Sequence, residues 1–359
     1  MAASIMTRVP QETVEWLTDR ESPAVAALTR MHLLGEPHSD ELGSLWAKRN
    51  EYTPVVRILD LMHSDGSWAT PGRDYQKYGG SLWQIHLLGE LHANGDDERV
   101  QRAAAYAFSR QLPDGSWSCM NMRPTGSITC LTANVGRALA RMGWAEDDRV
   151  IGALAYCVNL HRQLGVVDCR EGRLYQLNGY CHMLTPKVLL FLAEVPQGLW
   201  PDGAAELRDA CVAALREKEI FRSLPAESRE FQDALWSMPA ASRHGFRERF
   251  LAEHEPLHYR EKPGWLRFGY PLSYNSDALE CLLALAGVGE TRRPEYEPAI
   301  ELVESAGDEQ MRWTLRTTFN GKMLADVEEK GRPSRWLTWR ALSMLAAFGM
   351  VGAIRHSGS

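Results

Sequence analysis

The sequence predicts an all-α protein built from repeated helix pairs, and three observations support this class. A turn of the form Asp-Gly-Ser-Trp occurs twice, at Asp65–Trp68 and at Asp114–Trp117, and the second copy begins 49 residues after the first. Apolar residues follow a helical spacing before each turn, and no segment shows the period-two alternation of a half-buried strand. A repeat of about 40–50 residues is typical of architectures that stack one helical unit.

Each repeat unit contains two helices and a closing turn. An apolar helix comes first, as at 129–142, and an acidic pair lies after it, either Asp96-Asp97 or Asp147-Asp148. Carboxylates at a helix N-terminus accept hydrogen bonds from free backbone N–H groups and complement the helix dipole. The two pairs occupy equivalent positions in the repeat, so we expect both to cap a second helix.

The helical spacing of apolar residues also predicts the other helices. Residues 9–48 are interpreted as two or three helices, with Trp16 and Trp46 as buried anchors. Further apolar helices are expected at 181–194, 276–286, 294–306 and 334–348. We predict an N-terminal helical extension over 1–50, a repeat domain over 51–350 with an irregular insertion at 226–263, and a flexible tail over 351–359.

Composition excludes several classes of function. The 359 residues include 45% hydrophobic residues, enough for a sizeable core, and the net charge of −6 comes without a Lys/Arg cluster for nucleic acid. No apolar run reaches the roughly 18 residues of a spanning helix, although contact with a membrane surface stays open. Seven cysteines without a tight framework predict a reduced, cytoplasmic protein. The oligomeric state is left open.

Gln111–Trp117 resembles the Gln-Trp repeat motif of squalene–hopene cyclases, and Asp65–Trp68 is a weaker copy. Helix pairs alone could stack openly or close into a ring. The resemblance covers roughly residues 50–350 and extends to protein prenyltransferase β-subunits and, more remotely, lanthipeptide cyclases. It is closest to uncharacterised bacterial proteins with prenyltransferase and squalene-oxidase repeats. It implies an α/α toroid, a barrel-like ring of about six helix pairs around a central cavity.

In such a toroid the chemistry lies at one end of the cavity, near the starts of the inner helices. We expect these starts at 79–83, 129–134, 180–182, 270–277 and 334–340. The predicted substrate-binding residues there are Tyr78, Trp83, Tyr180, Phe268, Trp336 and Arg335. Aromatic rings line apolar cavities and stabilise cations, and a basic side chain could bind a diphosphate or carboxylate. Alternatively, the rings only fill gaps between helices, and the basic residues at these helix ends are solvated. The same two alternatives apply to Lys77, His86, Lys322 and Arg340.

The acid motifs of the resembling cyclases, Asp-x-Asp-Asp and Asp-Asp-x-x-Asp, are absent from this sequence. Asp277 is a candidate substitute acid at the start of an inner helix. Tyr270 and Tyr274 would then offer aromatic faces to a cationic intermediate. The alternative is that Ser276 or Asp277 caps the helix and that the tyrosines only pack.

A zinc site is a second hypothesis. Cys130 and, 51 residues later, Cys181-His182 resemble the ligand pattern of lanthipeptide cyclases, with Cys169 as a further thiolate. Zinc prefers thiolate and imidazole ligands, and an open position would let it activate a substrate. Alternatively, these cysteines are small buried apolar residues.

The leading hypothesis is a terpene-cyclase-like or prenyltransferase-like enzyme that acts on a small apolar, isoprenoid-like substrate in the central cavity. One alternative is a zinc–thiolate enzyme that resembles lanthipeptide cyclases. The other is a non-catalytic toroid that binds an apolar ligand or a protein. Zinc is the one cofactor considered, and no nucleic-acid partner is expected.

Overall fold

The structure is a computed structural model that describes residues 9–36, 38–70, 72–168, 177, 181–239, 242–243 and 245–351. The described residues form fifteen α-helices, which are α1 (Gln11–Leu17), α2 (Pro23–His32), α3 (Asp40–Ala47), α4 (Thr53–Asp60), α5 (Ser81–Glu90), α6 (Glu98–Ser109), α7 (Thr129–Leu139), α8 (Asp148–Leu164), α9 (Leu184–Glu194), α10 (Ala204–Glu217), α11 (Pro225–Ser237), α12 (Phe246–Glu253), α13 (Ala278–Gly287), α14 (Glu297–Ser305) and α15 (Arg335–Ala347). Two short strands, β1 (Arg222–Ser223) and β2 (Arg260–Glu261), pair antiparallel.

Six helices form an inner ring in the order α2, α5, α7, α9, α13 and α15. Each contacts the next from α5 to α15, and α15 contacts α2. The 3₁₀ turn Lys48–Glu51 and α4 complete the circle between α2 and α5. An outer helix precedes each inner helix in the chain. The molecule is therefore an all-α toroid of six helix pairs, and the predicted fold class is confirmed.

The inner helices are apolar on nearly every side because both faces are covered. All ten residues of α5 are buried, and so are nine of the eleven residues of α9. A helix that is apolar all round belongs in the interior of a protein. In contrast, α6 buries only Val100, Ala103, Ala104, Ala107 and Phe108, which lie on one helical face. The extent of burial thus distinguishes the inner helices from the outer helix α6.

The first helix pair joins the last pair. Helices α1 and α2 both contact α15. On the outer side, Arg312 Nε donates to Thr13 Oγ1 over 3.1 Å, and Arg335 forms an ion pair with Glu21 at 2.8 Å. Helices from the segment expected as an N-terminal extension therefore provide one of the six pairs.

The repeated Trp turn fastens each unit in the same way. The indole N–H of Trp117 donates to the carbonyl of Ala107 over 2.8 Å, and its backbone N–H donates to Thr132 Oγ1 over 3.1 Å. Trp68 makes the equivalent bonds, to the carbonyl of Ile58 and to Ser81 Oγ. Each tryptophan thus joins the end of an outer helix, through its indole, to the start of the following inner helix, through its backbone N–H.

A third copy of this fastening occurs at Trp313, which the sequence analysis missed. Its indole N–H donates to the carbonyl of Val303 over 2.7 Å, and its backbone N–H donates to Thr338 Oγ1 over 2.9 Å. The preceding loop, Asp308–Arg312, has no Asp-Gly-Ser signature. Trp313 thus makes the same two hydrogen bonds as Trp68 and Trp117, although the Asp-Gly-Ser residues are absent before it.

The acidic pairs cap helices, as predicted. Asp97 Oδ1 accepts from the backbone N–H of Arg99 at 2.8 Å, and Asp147 Oδ1 accepts from that of Arg149 at 2.9 Å. Each arginine also bonds to the carboxylate of its own cap. Burial alone would raise the pKa of these aspartates, most of all at Asp97, but the hydrogen bonds together outweigh it and lower the pKa of both, as expected for a capping carboxylate.

The segment expected as an insertion contains α11 and α12. They pack around a separate apolar cluster made of Leu177, Leu224, Phe231, Leu235, Phe246 and Phe250. The paired strands β1 and β2 flank these two helices. No strand was expected here, because strands of two residues are too short to leave a period-two pattern in the sequence.

Within the described residues, no helix has the length and apolarity needed to cross a membrane.

Substituting Gly115 by alanine should destabilise the protein by about 2 kcal/mol or more. Gly115 has φ of 87°, and an added Cβ would lie 2.3 Å from the carbonyl oxygen of Gly152. Gly152→Ala is the matched control, because its Cβ would point into open space within α8. That control should be stabilising by about 0.5–1 kcal/mol. Urea unfolding of both variants measures the contrast, and equal effects would contradict it.

Candidate functional site

Five aromatic rings converge where inner helices α5 and α13 begin. We call them the aromatic pocket: Tyr75, Tyr78, Trp83, Tyr274 and Phe319. Ring centroids lie 5.3 Å apart for Tyr78 and Trp83, 5.6 Å for Trp83 and Tyr274, and 5.4 Å for Tyr78 and Phe319. Trp83 and Phe319 are buried, whereas the three tyrosines are half-buried. The cluster therefore closes one end of the ring while part of it faces solvent.

Two loops reach this pocket through strained backbone. Tyr78 has φ of 71° and Ser273 has φ of 49°, both in the left-handed region that non-glycine residues avoid. Buried side-chain amides hold the two carbonyls. Gln84 Nε2 donates to the Tyr78 oxygen over 2.6 Å, and Asn134 Nδ2 donates to the Ser273 oxygen over 3.0 Å. Strain of this kind persists where the surroundings over-determine it, often at ligand sites.

Two exposed lysines stand beside the pocket. Lys77 Nζ lies 4.5 Å from the ring centroid of Tyr274, and Lys322 Nζ lies 5.6 Å from that of Tyr78. A hydrogen bond with Tyr274 and the charges of both lysines lower the pKa of Tyr78. The rim of the pocket is thus positive and suits an anionic group.

Below the rings lies a cavity of about 20 Å³, enough for about one water molecule. Its lining includes Trp83, His86, Asn134 and Cys130. Burial, together with the charges of Lys187 and Arg137, lowers the pKa of His86 to about 4. The imidazole is therefore neutral near pH 7.

A layer of buried charge fills the ring beneath this cavity. Glu90 forms ion pairs with Arg137, Arg141 and Arg340, and Glu194 pairs with Arg137 and Arg141. Burial would raise the pKa of Glu90, but the arginines more than offset it, and the balance holds that pKa below its usual range. Charged side chains thus occupy the space beneath the floor.

A second buried pair joins α9 and α13. Lys187 Nζ lies 2.6 Å from both carboxylate oxygens of Glu280, and both side chains are almost fully buried. Burial of an ion pair is tolerated only when each charge is compensated in this way.

Asp277 is the N-cap of α13. Its Oδ1 accepts from the backbone N–H of Glu280 at 2.8 Å, and its Oδ2 accepts from that of Gly269 at 3.0 Å. Burial and the nearby Glu280 carboxylate raise the pKa of Asp277 to about 6. The contacts of Asp277 are therefore those of a helix cap, which was the alternative to the role of an acid. Asp277 is not among the residues that line the cavity.

Other predicted substrate contacts lie away from the aromatic pocket. Tyr270 is buried, donates its hydroxyl to the carbonyl of Glu90 over 2.6 Å and stacks on Trp336 at 4.9 Å. Phe268 is buried, and Arg335 lies over Trp16 on the side of α1. Of the predicted residues, the structure brings together Tyr78, Trp83 and Tyr274. Tyr180 lies outside the described residues.

The predicted zinc ligands have different surroundings. Cys130 lines the cavity, whereas Cys181 is buried ahead of α9. His182 Nε2 lies 2.9 Å from the carbonyl oxygen of Ile220, and burial lowers the pKa of this histidine to about 3. Among the residues that the structure describes, no three His, Cys, Asp or Glu side chains gather as a metal site. Cys169 lies outside those residues, so zinc stays a prediction.

Sequence reasoning missed Phe319, Ser273 and the role of Asn134. Phe319 comes from a loop before α15 that has no repeat signature. Asn134 lies within an expected inner-helix start, and a polar amide inside an otherwise apolar helix was the available signal. The charge layer left a similar signal, since Glu90 and Arg137 interrupt apolar helices.

No family model matches the chain, and no curated protein matches its sequence. Solved structures that it resembles include a protein from Actinoplanes, at 15% identity and a TM-score of 0.34, over 84% of this chain and 99% of that one. A variant of the type II terpene cyclase MstE from Scytonema, in complex with merosterolic acid A, matches at 14% identity and a TM-score of 0.32 over 85% and 97%. An MstE variant in complex with geranylgeranyl dihydroxybenzoate matches at 13% identity and a TM-score of 0.32, over 85% of this chain and 98% of that one.

Proposed function

We propose that this protein is an enzyme of the terpene-cyclase type that acts on an apolar, isoprenoid-like substrate at the aromatic pocket. The observation that supports it is the convergence of five rings at the starts of inner helices. Trp83 and Tyr274 pack edge to face at 79°, so a ligand that displaced Tyr274 would meet the ring of Trp83. Ring faces attract cations without offering a nucleophile, as a carbocation intermediate requires.

The basic rim would hold an anionic head group. Lys77 and Lys322 are exposed and lie within about one side-chain length of the rings. A diphosphate or carboxylate would bind there while its apolar chain enters between the tyrosines. The lysines act as point charges, which suits a mobile phosphate group.

Substrate entry requires the pocket to open. A cavity of about 20 Å³ is far below the roughly 300–1,000 Å³ of ordinary ligand sites. Tyr78 and Tyr274 are half-buried and can swing outward by rotamer changes, whereas the charge layer is fixed below. The substrate would therefore occupy the end of the ring, above Glu90.

Asp277 remains the proposed acid. Its raised pKa, about 6, keeps part of the carboxyl protonated in weakly acidic solution. A proton would have to pass from this cap to the pocket, where Tyr274 lies three residues upstream. Asp277→Asn removes the acid proton and keeps one capping oxygen for the Glu280 N–H, but it loses the bond from the Gly269 N–H, so the stability of this variant must be measured beside its activity.

Product analysis tests the proposal. The purified protein is incubated with farnesyl diphosphate, geranylgeranyl diphosphate and squalene, and extracts are analysed by gas chromatography and mass spectrometry. We expect a cyclised product that disappears in Trp83→Leu and falls at least tenfold in Asp277→Asn, with melting temperature as the folding control. Turnover unchanged in Asp277→Asn would remove Asp277 from the role. Binding without any product would reduce the function to a non-catalytic apolar-ligand toroid.

A zinc–thiolate enzyme is the second candidate, because the Cys130 side chain lines the pocket. Zinc there would polarise a substrate or activate a thiolate. Metal analysis of protein purified without chelators decides between the candidates. Stoichiometric zinc that is lost in Cys130→Ala would favour this function, and zinc-free protein would exclude it.

A further inference from the structure

Three residues that line the floor of the aromatic pocket each carry a buried polar atom without a hydrogen-bond partner among the described residues. The three atoms are Trp83 Nε1, His86 Nε2 and Asn134 Oδ1. The exposed fractions of these residues are 3%, 4% and 5%, so bulk water does not satisfy them. Buried polar atoms are normally paired, and each exception needs a reason. Three exceptions around one cavity indicate a site for a polar group.

The hydrogen-bonding character of each atom is defined by its chemistry. Trp83 Nε1 can only donate. Asn134 already uses its amide nitrogen on the Ser273 carbonyl, which leaves the oxygen as an acceptor. His86 is neutral because burial lowers its pKa, so its Nε2 either accepts or donates, depending on which ring nitrogen carries the proton. The floor thus offers one donor, one acceptor and one imidazole nitrogen of either kind.

A hydroxyl group matches this set. It accepts from the indole of Trp83 and donates to either His86 or Asn134. An ether or carbonyl oxygen would leave the Asn134 acceptor unused, and a hydrocarbon would use none of the three. A carboxylate would place an unpaired charge against the Asn134 oxygen, which is costly in a buried site. The floor therefore selects a neutral group that both donates and accepts.

We propose that the floor of the aromatic pocket binds the hydroxyl group of an otherwise apolar ligand. The inference rests on the proposed function, since it assigns the leading end of the same isoprenoid-like substrate. The ligand class is an isoprenoid alcohol or phenol whose hydroxyl enters first. Any anionic group at its other end would lie near Lys77 and Lys322.

Competitive binding of two probes tests this assignment. The probes are farnesol and the hydrocarbon of the same carbon skeleton in which hydrogen replaces the hydroxyl. We expect wild-type protein to prefer farnesol by about tenfold or more, because a site built for a hydroxyl rejects the analogue without it. Farnesyl methyl ether, which accepts but cannot donate, should bind more weakly than farnesol.

Two variants locate the preference. Trp83→Phe keeps a ring and removes the donor. Asn134→Leu replaces the amide by an apolar side chain of similar size, which removes the acceptor and also the bond to the Ser273 carbonyl. Either variant should reduce the preference for farnesol to about threefold or less, measured as the ratio of the two affinities within one variant, so that a general loss of apolar contact cancels. Melting temperatures identify a variant that fails to fold, and the other variant then decides.

The outcomes separate the two proposals. If wild-type protein binds farnesol and the hydrocarbon equally, the floor holds only water and the inference is overturned, while the apolar pocket stands. If neither probe binds, the proposed function fails and the inference fails with it. If the preference for farnesol survives in both variants, another part of the protein recognises the hydroxyl and the assignment is wrong.

Discussion

Glu90→Gln should lower the free energy of unfolding at pH 7 by about 3–5 kcal/mol. Glu90 is the carboxylate that Arg137, Arg141 and Arg340 share in the centre of the ring. Without it, the three guanidinium groups retain Glu194 as the acidic partner of two of them. Removing one partner of a buried charge network leaves the others uncompensated, and this penalty exceeds the net value of the pairs themselves.

Two controls and a pH series sharpen the Glu90 prediction. Glu98→Gln, on an exposed position of α6, should change stability by less than about 0.5 kcal/mol. Arg340→Met added to Glu90→Gln should recover part of the loss by removing one unpaired charge. The folded-state pKa of Glu90 lies below its ordinary 4.5, so its stabilisation is present above that pH and is lost on acidification. The stability gap between wild type and Glu90→Gln should therefore narrow below about pH 4.5. A gap under about 1 kcal/mol at pH 7 would contradict the role.

Lys187→Met should lower the free energy of unfolding by a similar amount, about 3–5 kcal/mol, because it leaves the Glu280 carboxylate buried and unpaired. The ammonium lies 2.6 Å from both oxygens of that carboxylate. Asp277, one turn earlier, would add a second nearby negative charge. Chemical denaturation measures the loss, with near-ultraviolet circular dichroism as the test of native packing.

The double variant Lys187→Met with Glu280→Leu provides the matched comparison. Replacing both members of a buried pair by apolar residues of similar volume is often neutral or stabilising. We therefore expect the double variant to be at least about 2 kcal/mol more stable than Lys187→Met alone. Additive losses from the two substitutions would show that the side chains do not act as a pair.

The sequence predicted the parts of the fold that repeat locally. The Asp-Gly-Ser-Trp turn and the capping aspartates are short-range features, because Trp117 bonds a carbonyl ten residues away and Asp97 bonds a backbone N–H two residues away. Closure of the ring was inferred from resemblance. The contact between α2 and α15 joins distant parts of the chain, and no local pattern reports it.

The candidate site was predicted only in part, for the same reason. Tyr78, Trp83 and Tyr274 were named because aromatic residues stand at inner-helix starts. Phe319 could not be named, since its loop has no repeat signature and it reaches the pocket through tertiary packing. Asp277 was named as an acid, and its contacts with two backbone N–H groups are those of a cap. A carboxyl at a helix start has the same sequence signature in both roles.

The central claim is that the aromatic pocket is where this protein binds an apolar ligand. Equilibrium binding of farnesyl diphosphate to wild type, Trp83→Leu and Trp236→Leu tests it most directly. Trp236 is 59% exposed on α11 and controls for adhesion to any surface indole. We predict that Trp83→Leu weakens binding by at least about tenfold, through lost apolar contact and lost ring face, and that Trp236→Leu leaves it unchanged. Wild-type affinity in a folded Trp83→Leu variant, or a loss confined to Trp236→Leu, would contradict the claim.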